Sequence, residues 1–225
     1  MNKRNSRINN RHSRGSSYRG YSNRKIDVKD IRKRFLIVCE GEKTEPNYFK
    51  SFRSPGLVIA IHGIGANPSR LVDEAKKLCK QDEYDYTWCV FDRDSWPKQD
   101  FNNALQNARL QGIEVAYSNE AFELWYILHF EYLNTGLSRR DYEHKLSNLL
   151  GQPYRKNSET IYEQIKNCQQ TAIKNAERLI KEYEPLVPAD DNPSTTVYKL
   201  VQQLNEAISN KVAVNANEQV KSDIK

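Results

Sequence analysis

The sequence predicts an α/β protein: a parallel sheet flanked by helices, with a C-terminal helical appendage and a disordered basic N-terminal tail. Three observations predict this class. Apolar runs of strand length alternate with stretches of helical periodicity up to about residue 135. Beyond that point the periodicity is helical only. The first 25 residues carry eight basic side chains, no acidic ones and almost nothing apolar, a composition that cannot build a core.

The basic tail accounts for the positive charge of the whole chain. The formal net charge is +6, but removing the eight basic residues of the tail leaves 27 Lys and Arg against 29 Asp and Glu, a net charge of −2. Spaced arginines together with Tyr18 and Tyr21 would suit contacts with nucleic-acid phosphates and bases. A solubilising terminus without a specific partner has the same composition, so both roles stay open.

The alternation after the tail predicts four successive strand–helix units. Strands are expected at about 34–39, 57–61, 86–91 and 113–117, and helices at about 45–53, 68–79, 98–110 and 118–130. Thr44 is a candidate N-cap before Pro46, and Asn67 is another before Pro68. Units of this kind form a doubly wound sheet, because their crossovers share one hand.

A helical appendage is expected after the sheet. Helical stretches lie at about 138–149, 158–183 and 194–209. The predicted organisation is a disordered tail at 1–30, an α/β domain at 31–135, a helical appendage at 136–210 and a flexible C-terminus at 211–225. The appendage would suit docking of a partner, closure over a substrate or formation of an oligomer, so its role stays open.

Composition argues against several classes of protein. No apolar run approaches the ~20 residues of a membrane span, and no signal-peptide region is expected. The four cysteines show no CxxC spacing, which is typical of reduced thiols in a cytoplasmic protein. The four histidines are scattered, so a zinc site is not expected, and His129 lies in an apolar stretch that predicts a core position.

Two acidic clusters follow two of the predicted strands. FLIVC runs into Glu40, Glu42 and Glu45, and YTWCVF runs into Asp92 and Asp94. Unpaired carboxylates beside a core are costly, and a divalent ion such as Mg2+ would hold them together. Parallel strands end at one edge of a sheet, where ligands bind in open α/β folds. The clusters therefore predict a metal-dependent phosphoryl-transfer site, the alternative being carboxylates that cap helices or sit on solvated loops.

Three further charged residues lie beside these clusters. Glu123 is expected in the first turn of the fourth helix, where it would contribute to the metal site or simply favour the helix N-terminus through the macrodipole. Lys43 and Arg93 would neutralise charge on a scissile phosphate, or only offset the carboxylates they flank. Both alternatives stay open for each residue.

Four stretches carry the most specific pattern in the chain. They are FLIVCEGEKTEPNYF, VFDRD, SNEAFELWYILHF and NPSTTVYKLV, which together span about residues 34–200. A lone DxD occurs by chance in many proteins, but this ordered combination resembles the bacterial RloB-like family. One departure is Glu120, which follows Ser-Asn where the family commonly has Pro.

The resemblance implies a Toprim-like core and a nucleic-acid enzyme that depends on Mg2+ or Mn2+. It also implies an endonuclease of anti-phage or restriction-linked defence, with an RloA-type ATPase as partner. In Toprim proteins the glutamate after the first strand does acid/base or metal work, and the DxD pair binds the metal ion. These roles fall on Glu40, and on Asp92 and Asp94.

Nucleases of the OLD class, which is related to the family that the chain resembles, use further carboxylates. A second glutamate follows the first one, and here it corresponds to Glu45, with Glu42 as its rival because the spacing differs. Glu123 resembles the late acidic position of that class. The implied metal ligands are Glu40, Glu45, Asp92, Asp94 and Glu123.

The resulting hypothesis is hydrolysis of phosphodiester bonds in DNA or RNA with one or two metal ions. The expected catalytic set is Glu40, Lys43, Asp92, Arg93 and Asp94. A rival hypothesis is a non-catalytic module that binds nucleic acid or the ATPase. A DxD-dependent transferase fits less well, because it leaves the first acidic cluster unexplained and no Gly-rich phosphate loop is present.

Overall fold

The computed structural model describes residues 32–94 and 96–209. The tail expected at 1–30 and the C-terminus expected at 211–225 lie outside these residues. Among the described helices, none combines the length and the apolar character that crossing a membrane requires.

A five-stranded sheet lies at the centre of the described residues. Its strands are β1 (Lys33–Cys39), β2 (Leu57–Gly63), β3 (Tyr86–Asp92), β4 (Glu114–Asn119) and β5 (Ser194–Thr195). Their spatial order is β2-β1-β3-β4-β5, with β1 to β4 parallel and β5 antiparallel to β4. The predicted α/β class is confirmed. The edge strand β5 was not expected, because two polar residues carry no strand periodicity.

Helices connect and follow the strands. They are α1 (Thr44–Phe49), α2 (Pro68–Leu78), α3 (Lys98–Leu110), α4 (Glu123–Ile127), α5 (Arg139–Leu150), α6 (Ile161–Ile165), α7 (Gln169–Lys181) and α8 at 197–209. A 3-10 turn at Lys166–Cys168 lies between α6 and α7, so the helix expected at 158–183 is interrupted.

The two faces of the sheet are covered by different helices, because successive strand residues point to opposite sides. Leu36 and Phe91 face α2 and α3 in one hydrophobic core. Phe35 and Trp88 face the other core, which also contains buried residues of α1 and of α4 to α8. Residues beyond 135 therefore form much of the layer that covers this second face.

Two helix starts differ from the sequence prediction. Thr44 is the first residue of α1 and not its N-cap, and its hydroxyl donates to Asn157 Oδ1 at 3.0 Å. The fourth helix begins at Glu123 and not at Ser118, because Ser118 and Asn119 extend β4 and pair with β5. The cap predicted at Asn67 is confirmed by the bond that its side chain accepts from the Arg70 amide at 2.9 Å.

His129 is the buried core histidine that the sequence predicts. Its exposed fraction is 2 %, and its Nδ1 lies 2.9 Å from the Trp125 carbonyl oxygen. Burial lowers the pKa of His129 to about 4. A neutral imidazole at this position packs in the core and takes no part in the acidic clusters.

Replacement of Leu200 by Ala tests whether α8 shares one cooperative core with the sheet. Leu200 is fully buried in the second core, and Trp88 of β3 donates to Gln203 of α8 at 2.7 Å. We expect Leu200→Ala to lower the free energy of unfolding by about 2–5 kcal/mol. Leu110→Ala, the same change at a residue that is 72 % exposed, should alter it by less than about 0.5 kcal/mol.

Urea denaturation followed by tryptophan fluorescence measures both effects. A single shifted transition supports the shared core. An unchanged midpoint in Leu200→Ala, or a separate early transition, would show that α8 unfolds independently of the sheet.

Candidate active site

Acidic side chains from three strand ends meet in one cavity. The cavity has a volume of about 460 Å3 and opens at the carboxyl ends of β1, β3 and β4. Glu40, Glu45, Asp92 and Glu123 all line it. The sequence predicted that the two acidic clusters meet at one edge of the sheet if their strands are parallel. β1 and β3 are parallel neighbours, so Glu40 and Asp92 lie at the same edge.

Glu40 bridges the ends of β1 and β3. Its Oε2 accepts a hydrogen bond from the Asp92 amide at 2.9 Å, and its Oε1 accepts one from the Trp96 indole N–H at 2.8 Å. Burial raises the pKa of Glu40, and these two donors oppose that rise. The carboxylate is therefore held in one orientation. Trp96 was not predicted as a site residue, because an indole in a loop carries no motif.

Glu45 lies inside the cavity, whereas Glu42 lies at its rim. Glu45 is 5 % exposed, and its carboxylate packs so closely on Gly41 that a methyl group there would overlap it. Glu45 Oε2 is buried and has no hydrogen-bond partner among the described residues. Glu42 is exposed, with its carboxylate beside Gly65. Both glutamates therefore line the cavity, and Glu45 is the one that is buried in it.

Asp92 and Asp94 share one cationic partner, which the sequence did not indicate. Nη2 of Arg139 lies 2.9 Å from Asp92 Oδ2 and 3.2 Å from Asp94 Oδ2. Asp94 has a φ of 34°, a left-handed conformation that Asp tolerates better than most residues, and its amide donates to the Glu120 carbonyl at 3.1 Å. Arg139 begins α5, 45 residues or more from either aspartate in sequence, so no local pattern links them.

Glu123 is buried at the start of α4 and accepts a hydrogen bond from Tyr154. The two oxygens are 3.1 Å apart, and Glu123 is 2 % exposed. Burial and the neighbouring Glu123 raise the pKa of Tyr154, so the phenol keeps its proton and donates. The sequence predicted a position for Glu123 at this edge, but not its tyrosine partner.

The carboxylates of the cavity destabilise one another's charged forms. Burial, followed by repulsion from Glu123 and Glu40, raises the pKa of Glu45 to about 7. Burial and the same kind of repulsion raise the pKa of Asp92, and Arg139 partly opposes this. Burial works against the charge of Arg139, yet the surrounding carboxylates raise its pKa. The cavity therefore holds more negative charge than its bound guanidinium offsets.

Lysines from two different segments also line the cavity. Lys43 precedes α1, and Lys156 lies in the connection between α5 and α6. Asn157 ties that connection to α1. Its side-chain oxygen accepts from the Thr44 hydroxyl, and its backbone carbonyl oxygen accepts from the Asn47 side-chain Nδ2 at 3.1 Å. Lys43 is exposed at the wall of the cavity, so its ammonium group can reach an anionic ligand bound there.

Arg93 does not line the cavity. Its guanidinium donates to the carbonyl oxygens of Ala189 and Asp94, each at 3.0 Å, and to that of Trp96. It also lies over the Phe101 ring at 5.9 Å. These contacts give Arg93 a structural role in fixing the loop after β3. The geometry favours neither of the two roles expected from the sequence, because its donors face backbone and not carboxylate or substrate.

The donor chemistry of the cavity fits a hard divalent cation. The acidic side chains that line the cavity offer carboxylate oxygens, the donors that such cations prefer. Glu45 Oε2 is a buried acceptor without a partner among the described residues, and a cation would satisfy it. Within residues 32–94 and 96–209, however, no three His, Cys, Asp or Glu side chains are already gathered as a metal site. Arg139 stands between the carboxylates in this arrangement.

The raised pKa of Glu45 predicts a loss of stability with rising pH. Below about pH 4.5 both the folded and the unfolded chain carry the proton, and between about 4.5 and 7 only the folded chain does. The free energy of unfolding of the metal-free protein should therefore fall over this interval, by up to roughly 3 kcal/mol from Glu45. Denaturant titrations with chelator from pH 4.5 to 8 measure this dependence. A Glu45→Gln variant with the wild-type slope would contradict it.

Comparison with known proteins identifies the family. The family model described as RloB-like protein matches residues 35–204. Searches of curated proteins and of solved structures returned no significant match. The matched region contains every carboxylate of the cavity together with Arg139 and Lys156. Because this match covers most of the sequence, the chain belongs to the family of RloB-like proteins.

Proposed function

We propose that this protein is a metal-dependent nuclease that hydrolyses phosphodiester bonds in DNA or RNA during bacterial anti-phage or restriction-linked defence. One observation carries the proposal. Four buried or half-buried carboxylates, from segments that follow three neighbouring parallel strands, line a single cavity. Proteins rarely gather buried carboxylates without a function that needs them, because their mutual repulsion is costly.

The positions of the acidic residues on the strands support the proposal that this site is Toprim-like. Glu40 follows β1, and Asp92 and Asp94 end and follow β3, its neighbour in the sheet. This is the arrangement that the resemblance implies for the acid/base glutamate and the metal-binding pair. Glu45 and Glu123 add the two further carboxylates expected of an OLD-like nuclease.

We assign binding of Mg2+ or Mn2+ to Asp92, Asp94, Glu45 and Glu123, with Glu40 beside them. A bound divalent ion would stabilise negative charge on a phosphoryl group and make a bound water more acidic. The chain itself orients Glu40 through Trp96 and the Asp92 amide. Burial raises the pKa of Glu40, which favours a role for this carboxyl in proton transfer.

Positive charge on the cavity wall supports an anionic substrate. Lys43 and Lys156 are exposed and line the same cavity as the carboxylates. Lysines in such positions contact the phosphate backbone and carry no sequence preference. Family membership further leads us to propose an RloA-type ATPase as the partner, and a cytoplasmic location for both.

A second candidate function is a non-catalytic module that binds nucleic acid or the ATPase. The observation that favours it is the ion pair of Arg139 with Asp92 and Asp94, which already neutralises part of the acidic site. Such a module would bind its partner without turnover. The two candidates differ in whether a divalent ion elicits cleavage.

Replacement of Asp92 by Asn tests the nuclease directly. We expect wild-type protein with Mg2+ or Mn2+ to cleave at least one of plasmid DNA, single-stranded DNA, total RNA and tRNA. Asp92→Asn should lower the rate by about 100-fold or more, since a group that stabilises the transition state is lost. Asp73→Asn, the same change at an exposed position of α2, is the matched control and should keep full activity.

The fold of Asp92→Asn should be retained, because burial and neighbouring carboxylates oppose the charge that is removed, and Arg139 still has Asp94 as a partner. Circular dichroism verifies this. Full cleavage by a folded Asp92→Asn variant would remove Asp92 from the active site. Absence of cleavage by the wild type, alone and with the ATPase partner, would favour the binding module.

Glu45→Gln and Glu42→Gln form a matched pair that decides which glutamate acts with Glu40. Glu45 is buried in the cavity, and Glu42 is exposed at its rim. We expect Glu45→Gln to lower cleavage by about 100-fold and Glu42→Gln to change it less than about threefold. Single-turnover cleavage with saturating enzyme measures both rates. The reverse ranking would assign the role to Glu42.

A further inference from the structure

One cation is already bound at the carboxylates assigned to the metal. Nη2 of Arg139 contacts an oxygen of Asp92 and an oxygen of Asp94. The side chain of Asp92 is 9 % exposed and that of Arg139 is 30 % exposed, so the pair is largely shielded from water. Shielding strengthens the attraction and makes either partner costly to leave alone.

The guanidinium is nonetheless poorly satisfied. It has five N–H donors, but both of its carboxylate contacts are made by the same nitrogen. Its Nε is buried and has no hydrogen-bond partner among the described residues. A two-pronged arginine–carboxylate pair would use parallel N–H groups and be stronger. Another cation can therefore replace the Arg139 guanidinium at Asp92 and Asp94.

The backbone that carries Arg139 is fixed, so only its side chain needs to move. Ser138 is the N-cap of α5 and accepts from the Asp141 amide at 3.3 Å. Tyr142, one turn later, is fully buried in the second core. The guanidinium can leave the aspartates by rotation about its own side-chain bonds, toward the solvent that it already meets.

We propose that Arg139 is a built-in counter-ion that a divalent cation displaces from Asp92 and Asp94. This inference rests on the proposed function, which assigns both aspartates to the metal. A guanidinium and a divalent cation compete for the same carboxylate oxygens and repel each other at such distances. In the metal-free protein, the positive charge of Arg139 offsets the repulsion among the carboxylates. The same charge lowers the affinity of the cavity for a divalent cation, because the cation has to displace it.

Titration of full-length protein with Mn2+ tests the competition. We compare wild type with Arg139→Gln, counting free Mn2+ by electron paramagnetic resonance. We expect Arg139→Gln to bind Mn2+ on the order of tenfold more tightly, since the cation no longer displaces a charged partner. Arg140→Gln, the same change at the next and exposed residue of α5, should keep the wild-type affinity.

The outcomes separate this inference from the proposed function. Binding that is tighter in Arg139→Gln, or present in that variant alone, supports the inference. Equal or weaker binding in Arg139→Gln than in wild type overturns it and leaves the metal site in place. Absence of Mn2+ binding from all three proteins overturns both the inference and the metal-dependent mechanism.

A measurement on the wild type avoids dependence on the folding of Arg139→Gln. Side-chain N–H resonances of 15N-labelled arginine are recorded with and without Mg2+, and Arg139→Lys assigns the signal. We expect the Arg139 signal to shift and to exchange faster with water when Mg2+ is added. The Arg93 signal should stay fixed, because its guanidinium is bonded to backbone carbonyls. An Arg139 signal unchanged at saturating Mg2+ overturns the inference.

Discussion

Repulsion among buried carboxylates is the constraint on which the rest of this site depends. Parallel strands that end together place Glu40 and Asp92 within reach of one another, and α1 and α4 add Glu45 and Glu123. Three of these four carboxylates have polar partners, and the partners are of different kinds. Glu40 accepts from the Asp92 backbone amide and the Trp96 indole. Asp92 pairs with the Arg139 guanidinium, and Glu123 accepts from the Tyr154 phenol. One oxygen of Glu45 has no hydrogen-bond partner among the described residues, and burial raises the pKa of this carboxyl to about 7.

Much of this compensation comes from the helical segment that follows the four parallel strands. Arg139, Tyr154, Lys156 and Asn157 all belong to α5 or to the connection after it. The same segment buries apolar residues of α5 to α8 against one face of the sheet. Packing on the sheet therefore fixes the distances at which these polar groups act.

The sequence predicted the features that depend on local pattern. Strand-length apolar runs located β1 to β4, and their acidic ends located Glu40, Asp92 and Asp94. Features that depend on distant contacts were not predictable. Arg139 and Trp96 carry no motif, and β5 is two residues that pair only because β4 continues through Asn119. Arg93 was expected to neutralise charge on a phosphate or to offset the carboxylates that it flanks, but its guanidinium donates to backbone carbonyl oxygens of distant and adjacent residues.

On the proposed function, the electrostatics of the cavity couple stability to catalysis. The carboxylates that a nuclease needs also repel one another, and this repulsion lowers the free energy of unfolding of the metal-free protein. Removal of one of these charges should therefore make the protein more stable and less active. A cation that binds only the folded state reverses this cost by mass action, and the reversal grows with its concentration. On the proposal that a cation displaces it, Arg139 moderates both effects, because it stabilises the fold when metal is scarce and leaves the aspartates when metal binds. On the proposed function, a site arranged in this way stays folded without a metal ion and becomes active only when the ion is bound.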